Sequence, residues 1–310
     1  MDVVLNITAP IFFLILLGFA GIRFGLLPKE ALPALSRFVL YFALPSVMIT
    51  KISALDLRAV VNVPYMFVYA LGGLVAFFIT LVIVRYVLKE VWSVAAVSSM
   101  GAMMPNSSFI GFPILLQYLE NAPAQAFAMA LVVENIIFLP VALMLIESFY
   151  NHQPGVGKQV FVKVLKRIVS NPIILSVFAG IMLSLLNLRL PHFMGGGLEL
   201  LAMAAAPSAL VVIGGSLVGV AIAGSKVRTG IVASIKLLLF PMVVFISLQA
   251  FPDMPRELQV SVLVFAAMPM FSIFPILGGE YGQRSFCSST LLVTTVLSFF
   301  SISALLLLLH

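Results

Sequence analysis

Ten apolar stretches of roughly 20 residues follow one another along this 310-residue chain, and that recurrence limits what it can fold into. Segments such as residues 14–20 and 305–309 are apolar on every face. They lack the in/out alternation that a β-barrel strand needs, and an isolated one of them would have no side fit for water. Charged residues make up 9% of the chain and hydrophobic ones 62%, against about 25% charged in soluble domains. The pattern predicts an all-α polytopic membrane protein of about ten transmembrane helices.

The expected spans are residues 3–22, 31–52, 64–88, 92–118 and 123–149, then 168–188, 198–223, 229–251, 258–281 and 285–309. The first follows Asp2 without a basic leader and runs into Arg23, so it reads as a retained span. Three segments follow: a first five-helix half over 1–149, a polar linker over 150–167 and a second half over 168–310. Lysines and arginines are divided unevenly between the two faces. Lys51, Arg58, Arg189 and Arg256 fall on the face of the N-terminus, and the other thirteen of the 17 fall opposite. By the positive-inside rule, both termini lie outside a cell inner (plasma) membrane and the linker, with Lys158, Lys163, Lys166 and Arg167, lies in the cytoplasm. Arg37 and Lys236, a couple of turns inside their spans, are expected to snorkel to the near interface.

The two halves share landmarks. Pro10 and Pro172, Pro45-Ser46 and Pro207-Ser208, and Phe112-Pro113-Ile114-Leu115 and Phe274-Pro275-Ile276-Leu277 are each 162 residues apart. Each pair falls in the same ordinal span of its half. Five spans per repeat is an odd number, so the second repeat would enter the membrane inverted, an architecture of secondary transporters.

The fourth span carries Pro105 and Pro113, and its counterpart, the ninth, carries Pro269 and Pro275. Proline removes a backbone donor and clashes with the preceding turn, so both spans are expected to break near mid-membrane. Freed backbone groups at that depth are tolerated only against protein or a water-filled cavity. Asn106, Ser107, Ser108 and Ser272 are placed to satisfy those groups, to bind substrate, or both. Met103, Met104 and Phe271 read as packing, with Met270 kept in the candidate substrate set. Pro45 and Pro207 mark milder kinks, each followed by a serine that can bond a freed carbonyl. Glu134 is the acidic residue nearest the centre of a span, and an ionisable group at that depth is functional by default. It is expected to take up a proton when an anion occupies the site. The structural alternative is a pair with a donor on a neighbouring helix.

Several runs resemble the auxin efflux carrier family over essentially the whole chain. They are Gly18 through Leu26-Leu27-Pro28, Leu35-Ser36-Arg37-Phe38-Val39 leading to Ala43-Leu44-Pro45, the stretch from Pro105 to Leu115, and Pro269 with Glu280-Tyr281-Gly282. The resemblance implies a fold shared with bile-acid and sodium/proton carriers. In it a scaffold of spans 1, 2, 6 and 7 flanks a transport domain of spans 3–5 and 8–10, whose broken helices cross at the prolines and shift like an elevator. It also implies that Asn106 is a substrate ligand, that Glu134 and Asn135 line the site, and that Pro45, Met48 and Ile49 belong to the scaffold wall. Plant carriers resemble this chain but have Gln where Glu134 stands, which favours the bacterial malonate- or malate-like branch over an auxin-like aromatic carboxylate.

Other classes fit less well. Asp2, Asp56 and Asp253 lie near span ends and His152, His192 and His310 in loops or at the terminus, so no acid–base or metal constellation reaches the midplane and an enzyme is not expected. A lone cysteine, Cys287, offers no internal disulfide and no thiolate metal cluster. The net charge of +6 resides in short loops without aromatic interleaving, which argues against nucleic acid. An anion channel shares the hydropathy pattern, but paired broken helices favour alternating access. The expected partners are therefore a small organic anion, the lipid bilayer, a co-transported proton and, in a homodimer, a second copy of the chain. No cofactor or metal is expected.

Overall fold

A computed structural model describes residues 2–54, 61–119, 123–151, 162, 165–166, 169–186, 188, 190–219 and 225–309, the side chains of 2–8 and 151 excepted. Of the residues weighed above, Asp56, Arg58, His152, Lys158, Lys163, Arg167, Arg189 and His310 lie outside the described residues, as does most of the 150–167 linker. The described residues form twelve helices. They are α1 (Asp2–Arg23), α2 (Ala31–Ile52), α3 (Val63–Val87), α4 (Trp92–Met103), α5 (Phe112–Tyr118), α6 (Ala124–Tyr150), α7 (Pro172–Leu185), α8 (His192–Ser216), α9 (Lys226–Leu248), α10 (Arg256–Ala267), α11 (Phe274–Glu280) and α12 (Arg284–Leu309). Six of these, α2, α3, α6, α8, α9 and α12, are long and apolar enough to cross a bilayer. The expected fourth and ninth spans are each divided in two, α4 from α5 and α10 from α11. Helix α8 begins at His192, six residues before the expected start of its span, and α9 begins at Lys226, three before.

Prolines shape the long helices in a way that periodicity alone does not reveal. Among the described residues, five-residue π-helical turns occupy Val39–Ala43, Ser107–Gly111, Glu134–Phe138 and Ile235–Leu239, each followed two residues later by a proline, Pro45, Pro113, Pro140 or Pro241, and Ile83–Val87 at the end of α3, which is not. A proline ring crowds the carbonyl four residues back and offers it no N–H. Widening the preceding turn to an i→i+5 pattern relieves that clash without breaking the helix. Near Pro45 the serine hydroxyl contributes as well, since Ser46 Oγ donates to the Phe42 carbonyl at 2.7 Å, one residue beyond the carbonyl that Pro45 leaves without its amide.

The chain divides into two compact units. One comprises residues 1–63, 108–131 and 168–218, the other residues 64–107, 132–167 and 219–310. Within the first, α1 and α8 approach until their backbones touch, because Gly18 lies against Val211 and Gly214 against the Ile15 carbonyl. Gly180 of α7 likewise rests on Ile52 of α2. Within the second, Gly72 of α3 meets Val244 and Phe240, Gly73 meets the Phe138 ring, and Gly101 of α4 meets the Phe274 ring. Lipid tails are as apolar as leucine, so helices in a bilayer gain from close van der Waals contact, and small residues permit it.

These contacts differ in how far they can yield, which sets an expected order of stabilities. A methyl group at Gly214 falls on the backbone of Ile15, so Gly214→Ala should destabilise by about 1–3 kcal/mol and lower the melting temperature in detergent. Gly196, on the same helix, has open space around it, and Gly196→Ala should be neutral or stabilising by up to about 1 kcal/mol. Equal melting temperatures for the two variants would show that α1 and α8 do not pack backbone to backbone.

Candidate functional site

The site is built where the fourth and ninth spans break. The residue before a proline is driven out of the α region, and Met104 and Met268 obey this, with φ/ψ of −79°/111° and −64°/148°. Helices α4 and α10 therefore end at Met103 and Ala267, and short extended segments follow. Those segments pair with each other. The Asn106 N–H donates to the Pro269 carbonyl at 2.8 Å and the Phe271 N–H to the Met104 carbonyl at 3.1 Å, forming an antiparallel bridge between Pro105 and Met270. Asn106 Nδ2 adds a bond to Ser272 Oγ at 2.8 Å. The freed backbone is thus met chiefly by backbone, where the sequence had pointed to the side chains of Asn106, Ser107, Ser108 and Ser272. Only the first proline of each pair breaks its helix: Pro113 follows the π-turn Ser107–Gly111 in a continuous helical path, and Pro275 occupies the first turn of α11, where a missing N–H costs nothing.

Immediately beyond the break, Ser107 opens a π-turn and turns toward Glu134, itself the first residue of another. Ser107 Oγ donates to Glu134 Oε1, and Tyr69 Oη of α3 donates to the same oxygen at 2.8 Å. The two hydroxyls lie 3.4 Å apart. All three residues are buried, as are Asn106 and Asn135. The Tyr69 ring is held by Phe240, stacked at 5.8 Å, by Phe138 at 5.4 Å and by Tyr65 at 6.4 Å. The second component of the cluster is Lys236, in the π-turn of α9. It was expected to snorkel, but it is fully buried, with its ammonium 4.3 Å from the centroid of the Phe240 ring and making no hydrogen bond. The reason is register: α9 starts at Lys226, which puts Lys236 near mid-helix, beyond the reach of its stem to an interface.

The candidates fall into three groups. Asn106, Met270 and Ser272 join Pro105 and Pro269 at the paired breaks, with Met270 fully buried. Ser107 and Glu134 join Tyr69, and Asn135 follows Glu134 in the same π-turn. Pro45, Met48 and Ile49 on α2, with Ser108 and Pro113, lie in the other compact unit. Sequence reasoning missed Tyr65, Tyr69, Phe138 and Phe240. Their signal was present only indirectly, in the prolines two residues past Phe138 and Leu239 that widen the turns carrying Glu134 and Lys236. Among the described residues, no group of histidine, cysteine, aspartate or glutamate side chains is arranged to hold a metal ion.

A family model described as “Membrane transport protein” matches residues 3–306. The chain belongs to that family, the auxin efflux carrier family that its motifs resemble. It is also similar to a Rhizobium meliloti (strain 1021) protein named “Putative malonate transporter”, at 26% identity over 312 residues that cover 99% of this chain and 96% of that one. It is thus a multi-pass membrane transport protein.

The bond from Tyr69 to Glu134 can be removed without disturbing the ring stack. Tyr69→Phe should cost about 1–3 kcal/mol, the range for a buried bond to an ionisable group, and lower the melting temperature by several degrees. Tyr41→Phe, at an exposed position, should leave it unchanged. A Tyr69→Phe protein as stable as its parent would mean that this hydroxyl does not anchor Glu134.

Proposed function

We propose that this member of the membrane transport protein family carries a small organic anion, with a dicarboxylate such as malonate or malate favoured, by elevator-like alternating access coupled to a proton. The observation that carries the proposal is the pairing of two proline-broken helices, with Asn106 bonded to Ser272 across the break. Interrupted helices in corresponding positions of two halves are where secondary transporters place their substrate. In this reading the chain has ten spans in two inverted repeats, 1–149 and 168–310, with both termini outside a plasma membrane. The 162-residue spacing of the prolines and the uneven distribution of lysine and arginine support it. The helical segment that resumes at Ser107 presents its N-terminal end at the break, where backbone N–H groups and a positive partial charge favour an anion. Asn106 adds an amide. The name of the Rhizobium relative supports the dicarboxylate choice.

Glu134 supplies the reason for coupling. If it and a bound carboxylate were both charged at about 4 Å, repulsion would be on the order of 4 kcal/mol at an effective dielectric of 20, roughly a thousandfold in affinity. Taking up a proton with the anion removes that cost. Ser107 and Tyr69 both hold Glu134 Oε1 in place, so the carboxyl keeps its position whichever protonation state it adopts.

Two variants test the reading in proteoliposomes loaded for malonate counterflow. Asn106→Ala should abolish saturable exchange while the protein remains folded, and undiminished exchange would move the site elsewhere. Glu134→Gln should retain exchange but lose its acceleration by a proton gradient. Wild-type flux that ignores proton gradients and requires sodium, or a Glu134→Gln protein as pH-dependent as its parent, would defeat the coupling mechanism. Flux without counterflow would mark the protein as an anion channel.

A further inference from the structure

Lys236 is a fully buried lysine whose Nζ makes no hydrogen bond and lies against the face of Phe240. Removing a charge from water costs several kcal/mol even after relaxation, and a buried pair normally recovers this through direct contact and hydrogen bonds. Lys236 has neither, although its π-turn packs beside α4 and α10, the two helices that end at the break, and beside α12. Among the described residues, the titratable groups that interact electrostatically with Glu134 are Tyr65 and Tyr69 of α3 and Lys236 of α9, and Ser107 bonds to it from the break. Lys236 is the one basic side chain of this set and Glu134 the one acidic side chain.

We propose that Lys236 is a counter-ion shared in turn by Glu134 and the transported carboxylate, and so determines the charge that the site accepts. With Glu134 ionised, the buried set is neutral and has no excess field for an anion. With Glu134 protonated, the set carries one net positive charge, and a carboxylate at the Asn106–Ser272 break restores neutrality. Proton uptake and anion binding then favour each other, and the preferred ligand bears one negative charge, which for a dicarboxylic acid such as malonic or malic acid is its half-protonated form. Lys236 acts through its field and needs no contact with the ligand, so it is a specificity-determining residue and not a catalytic one. The inference rests on the carboxylate-transport reading above and adds to it an attraction that repulsion at Glu134 alone does not provide.

The test is made in the Glu134→Gln background, where the neutral amide stands in for the protonated acid. Purified protein in nanodiscs is titrated at one fixed pH with malonate, malate and indole-acetate, binding being read by calorimetry and by thermal shift. Glu134→Gln should bind the best of the three at least as tightly as wild type does. Glu134→Gln with Lys236→Met removes both charges, leaves no uncompensated ion, and should weaken that binding at least tenfold with little change in melting temperature. Lys236→Gln serves the same comparison if the methionine variant does not fold, and Lys236→Arg should keep the affinity. Undiminished binding by the doubly neutral protein overturns the proposal and leaves Lys236 as a partner of Glu134 only. Failure of Glu134→Gln to bind any of the three also overturns it, because that variant holds the unshared cation. A pH-dependent Glu134→Gln flux counts against the coupling reading instead, and the fixed-pH comparison does not depend on it.

Discussion

An unpaired peptide group in hydrocarbon costs several kcal/mol, and two helices broken at prolines expose such groups. In this chain each break solves the problem of the other. Pro105 and Pro269 end their helices, and the residues that follow adopt the extended geometry that lets Asn106 and Phe271 donate across to Pro269 and Met104. A single broken span would need a substitute partner, and two that meet need none. The rest of the second compact unit depends on this bridge. It fixes the residue at which the backbone resumes a helical path, and hence the direction in which Ser107 points toward Glu134.

The same residue type works in two modes. Where proline follows a residue already forced extended, as at Pro105, it ends the helix. Where it sits two residues beyond a turn that can widen, as at Pro113, Pro140 and Pro241, the helix continues through a π-turn. A π-turn inserts one extra residue per turn and so rotates the side chains on either side of it relative to each other. In α6 and α9 the residues carried by such turns are Glu134 and Lys236, the two buried charges of the cluster. Glycines then set the distance. Gly72 and Gly73 let α3 close onto Phe240 and Phe138, which brings Tyr69 within 2.8 Å of Glu134.

How much of this was legible follows from which physical signals are local. Hydropathy placed the six long spans to within a few residues in most cases, because the bilayer acts on windows of about 20 residues. Proline placed the two breaks, because its effect on its own neighbours is steric and immediate. What failed was anything set by the partner helix. The bond between Asn106 and Ser272 spans 166 residues, and that between Tyr69 and Glu134 spans 65, so neither leaves a trace in spacing. Lys236 was misread because a three-residue error in where α9 begins was enough to move it from mid-helix to apparent reach of an interface.

The location of the charges has a consequence for any mechanism in which one compact unit moves. Tyr69, Ser107, Glu134 and Lys236 all belong to residues 64–107, 132–167 and 219–310, so their hydrogen bonds and mutual field are internal to one unit. A displacement of that unit carries the set along without remaking a contact within it. The cost of desolvating Glu134 and Lys236 is therefore met on folding and not repeated in each cycle. In the proposed cycle, what changes from one leg to the other is only the charge added from outside, a proton or an anion. A net charge on the buried set penalises its passage through the hydrocarbon by an amount that falls away at neutrality. In the proposed cycle the set would move most readily when empty with Glu134 ionised, or when loaded with both a proton and a singly charged anion, and would resist movement when either arrives alone.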